Sequence, residues 1–79
     1  MYKKFVEEMA ERAIGKYFNA TVYKREFKYS SDTDFVRFKI KAHGEKSTEY
    51  EGFIGTCGQV VVTQIDGDEL SEEEYITVN

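Results

Sequence analysis

One cysteine, one histidine and a late run of carboxylates are the side chains of this 79-residue chain with the most obvious chemistry. Cys57 and His43 would form a nucleophile and its base if they met within hydrogen-bond reach. The stretch Asp66-Gly67-Asp68-Glu69 invites comparison with a calcium loop, where carboxylates sit at fixed offsets around one glycine. Aligning Gly67 with that glycine puts Asp66 and Glu73 at ligand positions. Val62 and Gln64 then occupy the two other positions that need carboxylates, so the pattern fails. A lone Cys excludes an internal disulfide, and one Cys with one His is too few for a Cys/His zinc cluster. Asp32 and Asp34 share a loop, but two loop aspartates without a pocket or an activated water do not make a hydrolase. The expectation is a non-enzymatic protein with no catalytic residues, no metal, no cofactor and no small-molecule substrate.

Charge says more than chemistry. Lys46 is the last basic residue, and the 33 residues after it carry eight carboxylates. Net charge is 0 over residues 1–15, +4 over 16–46 and −8 over 47–79. A small domain with one basic and one acidic end steers its partners electrostatically. The N-terminus, Met1-Tyr2-Lys3-Lys4-Phe5-Val6-Glu7-Glu8, becomes charged again too soon for a signal peptide or membrane span. With one free thiol, a cytoplasmic location and no membrane contact are expected.

The elements that must position these groups follow from periodicity. Tyr2, Phe5, Val6, Met9, Ala10, Ala13 and Tyr17 recur at three- and four-residue steps, which predicts an amphipathic helix over residues 2–17. From Ala20 the period becomes two, and strands are expected at 21–29, 34–42, 48–55 and 59–65. The breaks between them are short enough for antiparallel hairpins. The expected fold is α+β and a single domain over residues 1–79: the N-terminal helix packed on a four-stranded antiparallel meander, in two layers, with a short acidic C-terminal segment. In that segment, residues 66–79, Asp66-Gly67 is a turn and Ser71 with Glu74 makes a capping-box pattern. One helical turn is expected there, then an extended end able to pair with a sheet edge.

Alternation assigns the faces. Tyr23, Arg25, Phe27 and Tyr29 are placed on the core side of the first strand, opposite Val22, Lys24, Glu26 and Lys28. A Cys57-Gly58 turn would pair Thr56 with Gln59, Ile54 with Val61 and Tyr50 with Ile65. Phe53, Val60 and Val62 then form an apolar cluster on the outer face, either covered by the C-terminal segment through Tyr75, Ile76 or Val78, or serving as an interface for a partner or a second subunit. Pairing across Gly44-Glu45-Lys46 would set Lys41 against Glu49 and Lys39 against Glu51, each pair contributing roughly 0.2–1 kcal/mol. His43 and Cys57 would flank the third strand some 25–30 Å apart at about 3.3 Å per residue, too far to react.

Three functions compete on these grounds. The leading expectation is a protein-interaction module that occludes a larger partner with a basic surface, through Phe53, Val60, Val62, Glu49, Glu51, Glu69, Glu72, Glu73 and Glu74. Phage inhibitors of nucleic-acid-binding host effectors, including CRISPR complexes, often share this small, acidic, cofactor-free format, an analogy of size and charge alone. The second is a nucleic-acid binder using the strip Lys24, Lys28, Arg37, Lys39 and Lys41, opposed by the acidic half of the same sheet. The third is a homo-oligomer, a homodimer being its simplest form, in which the basic half of one subunit meets the acidic half of another.

Overall fold

The computed structural model describes residues 2–30, 35–55 and 57–78. Helix α1 spans Tyr2–Phe18, one residue beyond the expected end. It stops at Asn19, whose φ of 52° breaks the spiral while Ala20 N donates to Gly15 O at 2.9 Å. That is the long bond of a Schellman cap. Val6, Ala10 and Ile14 form the buried line of the helix, and Phe5 and Tyr17 lie outside it. No helix among the described residues is long and apolar enough to cross a membrane.

The strands are β1 (Thr21–Tyr29), β2 (Val36–His43), β3 (Ser47–Ile54), β4 (Val60–Ile65), β5 (Asp68–Glu69) and β6 (Ile76–Thr77). All pairings are antiparallel, in the order β1-β2-β3-β4-β5, with β6 also on β4. The fold is therefore α+β, but among the described residues the sheet has six strands where four were expected. The additional two come from the acidic C-terminal segment. Asp66 and Gly67, with φ of 52° and 83°, make the two-residue turn whose twist suits a hairpin, and β5 follows at once. The chain then leaves the sheet as a 3-10 turn at Glu72–Glu74 and returns as β6. Together β5 and β6 are one interrupted edge strand along β4.

Among the described residues, α1 and the sheet share an apolar core. Val6, Ala10 and Ile14 meet Phe38, Ile40, Ala42, Tyr50, Ile54, Val60, Val62 and Val78 there. Burying side chains of this size contributes about 1.5–3 kcal/mol each for the Val, Ile and Phe members. Among the described residues no polar or charged side chain is buried, so the charges stand at the surface.

Two bulges correct the face assignments. Between β3 and β4, Tyr50 faces Ile65 as expected, but Ile54 faces Val60 and not Val61. The cause is the loop: Gly55 N donates to Gln59 O at 2.9 Å, so the chain reverses between these two residues. Thr56, which was expected to pair with Gln59, lies outside the described residues. A register irregularity opposite Glu51 and Gly52 absorbs the offset at Thr63. Val60, Val62 and Ile65 thereby share the core side, which strict alternation forbids. Val60 and Val62 are fully buried, so they are not part of an outer cluster. Gly52 is required at this crossing, since a Cβ there would stand 1.9 Å from Val61 O.

The second irregularity lies in β1 between Val22 and Lys24. It turns Val22 toward the core beside Ala42 and sends Tyr23 out, where its hydroxyl meets Ser47 Oγ. Tyr23 was expected inside. Arg25, Phe27 and Tyr29 keep the expected side: Arg25 pairs with Glu11 of α1 at 2.8 Å, and Tyr29 donates to Glu7 at 2.5 Å.

Candidate protein-interaction face

The outer face of the sheet is a grid of cross-strand rungs. At one end Lys24 faces Lys41, and Lys41 faces Glu49. The middle rung runs Glu26, Lys39, Glu51 and Gln64, continuing to Glu69 on β5. The far rung runs Lys28, Arg37, Phe53, Val61 and Thr77. The expected Lys39–Glu51 and Lys41–Glu49 registers are both present, and Lys41 Nζ lies 3.9 Å from Glu49. Beside them Lys46 Nζ approaches Asp66 at 4.0 Å. The basic strip is therefore interleaved with carboxylates for most of its length. Lys28 opposite Arg37 is the rung where two cations meet and the next residue across is apolar Phe53.

On the β4 side the composition changes. Phe53 is partly buried, with its ring in edge contact with Phe35 at 5.3 Å between centroids. A hollow of about 280 Å³ opens beside it, walled by Leu70 and Tyr75 and otherwise lined mostly by polar surface, with Arg37, Thr63, Gln64 and Glu69 around it. Tyr75 remains 39% exposed. The 3-10 turn bearing Glu72 and Glu73 connects Leu70 to Tyr75, and both residues are exposed.

Glu74 behaves differently from its neighbours. Its Oε1 accepts from both Ser71 N and Ser71 Oγ at 3.0 Å, the expected capping contact. The backbone bond from Ser71, followed by its hydroxyl, holds the Glu74 carboxyl below the usual range. Glu74 thus shapes the turn. Among the described residues none forms an ion pair with Glu69, Glu72 or Glu73.

Of the expected contact residues, Phe53 and Glu69 are brought together, Glu72 and Glu73 lie on the turn between Leu70 and Tyr75, Glu49 and Glu51 lie across the sheet facing lysines, and Val60 and Val62 are lost to the core. Leu70 was missed, and Arg37 was assigned only to the basic strip. An isolated leucine between Glu69 and Ser71 in an otherwise polar run was the available signal. His43 and Cys57 end up at opposite ends of β3, with Ser47 across from His43 and Cys57 in the loop beyond Gly55. Asp32 and Asp34 lie outside the described residues. No three His, Cys, Asp or Glu side chains among the described residues are grouped to hold a metal ion. No protein-family model matches this chain, and comparisons with curated proteins and with solved structures give no significant match.

Proposed function

We propose that this protein is a non-enzymatic interaction domain that binds and occludes a basic surface of a larger protein. One observation carries the proposal: a hollow walled by Phe53, Leu70 and Tyr75 also holds Glu69, which, like Glu72 and Glu73 on the following turn, forms no ion pair among the described residues. Unneutralised charge steers a basic partner and raises the rate of encounter. The hollow, whose accessible lining is mostly polar, then suits a basic side chain that lays its aliphatic stem along Phe53 and Tyr75 and its charge toward Glu69. A partner whose basic surface ordinarily holds nucleic acid would be blocked, because carboxylates would stand where phosphates sit.

The basic strip supports a second reading, a nucleic-acid contact. Lys24 opposite Lys41 and Lys28 opposite Arg37 are like-charge pairs that an anion would relieve. Against it, Lys39 lies between Glu26 and Glu51, and Lys41 has Glu49 beside it. An interleaved strip releases few counterions.

Affinity capture from native lysate at low and high salt separates the readings. The wild type should retain a basic protein more strongly at low salt. The triple variant Glu69→Lys/Glu72→Lys/Glu73→Lys should lose it, while Lys24→Glu/Lys28→Glu should keep it. Retention that survives the triple reversal, or a DNA or RNA gel shift abolished by the lysine reversals, would refute the proposal.

A further inference from the structure

One side of α1 is partly open to solvent: Phe5 and Tyr17 are exposed, while Met9 and Ala13 between them are half-buried and also pack against the core. Phe5, Met9, Ala13 and Tyr17 follow one another at four-residue steps, a line of about 18 Å at 1.5 Å per residue. Phe5 is 63% exposed and Tyr17 56%. With Val78 from the end of the chain, the line borders an open cleft of about 630 Å³, whose charged side is Glu8, Arg12 and Lys16. Single exposed apolar residues need no explanation, but two exposed aromatics joined by a methionine along one line form a contiguous apolar surface.

We infer that this face pairs with the same face of a second copy, the two helices running antiparallel about a two-fold axis. The line is self-complementary under that operation. With the axis level with Glu11, Phe5 meets Tyr17 of the second copy and Met9 meets Ala13 of the second copy. Aromatic opposes aromatic, and the long side chain opposes the short one. Glu8 falls between Arg12 and Lys16 of the second copy, and the symmetry repeats the contact. A parallel arrangement would set Glu8 against Glu8 and Lys16 against Lys16, which is unfavourable. The pairing uses neither Phe53 nor the acidic edge, so a dimer would present two partner-binding faces.

Sedimentation velocity from about 10 μM to about 1 mM tests this, the range in which an interface of modest area titrates. The wild type should shift from one to two chains. Phe5→Glu should weaken the dimer about thirtyfold or more, the loss expected of an anchor residue. Glu8→Lys should weaken it as well, and Glu8→Lys/Lys16→Glu should recover part of that loss by restoring opposite charges across the axis. All three positions are exposed, so helix content by circular dichroism should be unchanged. A single-chain mass throughout, a dimer indifferent to Phe5→Glu, or a double variant weaker than Glu8→Lys alone would overturn the inference.

Discussion

The two halves of the sheet's outer face treat charge in different ways. Across β1, β2 and β3, cations and carboxylates alternate along the rungs, with Lys39 between Glu26 and Glu51 and Lys41 beside Glu49. Beside β4 and β5, Glu69 borders a hollow that Phe53, Leu70 and Tyr75 share with Arg37, Thr63 and Gln64, and Glu72 and Glu73 follow on the next turn. Charges that answer one another across strands stabilise the sheet slightly and offer little to a visitor. Unanswered charges beside exposed aromatic surface leave their interaction energy for something outside the chain. The two edges differ less: β1 has its irregularity near Tyr23, and the opposite edge is broken by the 3-10 turn. Both devices blunt edge-to-edge strand addition.

The sharpest way to probe the β4 half is to place one charge on each of its faces. Val62→Lys puts an ammonium into a fully buried site with no partner, a change expected to cost about 4 kcal/mol or more and to unfold so small a domain. Phe53→Lys, one strand away on the outer face, should leave the protein folded, with a loss of about 1–2 kcal/mol from trimmed aromatic contact. Urea titrations of the two variants check this. A reversed ranking, with Val62→Lys tolerated and Phe53→Lys not, would mean that the inner and outer faces are exchanged where β3 meets β4.

In the β1 half, Tyr29 supplies a pH signature. Partial burial, then the hydrogen bond to Glu7 and that carboxylate's charge, push its phenol from 10.0 up to about 12. A raised pKa favours the protonated form, so this stabilisation is complete below about pH 10 and is lost as pH rises toward about 12. The residue is 38% exposed, so solvent screening reduces the effect to about 1 kcal/mol. Stability measured between those pH values should fall less steeply in Tyr29→Phe than in the wild type.

Smaller still should be the difference between reversing a charge in each half. Lys39→Glu would face Glu26 and Glu51 at once and cost about 0.5–1 kcal/mol. Glu72→Lys should be neutral or slightly stabilising, because it relieves repulsion within its own acidic turn. Denaturation midpoints that fall equally in both variants would erase the distinction between answered and unanswered charge.

Much of this was visible in the residues. The helix, the four long strands, the Lys39–Glu51 register and the Ser71–Glu74 cap each depend on local spacing, which a single sequence displays. The side chains of β4 depend instead on a loop and a bulge. Val60, Val62 and Ile65 cannot share a face under strict alternation, and only the irregularity at Thr63 lets them do so. Tyr23 left the core for the same kind of reason. Strand β5 is two residues long, too short to show any period, and exists because the Asp66-Gly67 turn returns the chain against β4. The hollow could not be read for the same reason, since it forms where residues 70–75 leave that broken edge and lie beside Phe53.

The most direct test of the central claim is amide chemical-shift mapping during titration with an arginine-rich peptide and, separately, with a short DNA duplex. The peptide should perturb Phe53, Glu69, Leu70 and Tyr75 and leave Lys24, Lys39 and Lys41 unmoved, with the response abolished in Glu69→Lys/Glu72→Lys/Glu73→Lys. The DNA should perturb neither set. Shifts confined to Lys24, Lys28, Arg37 and their neighbours on adding DNA, with no response to the peptide, would contradict the account.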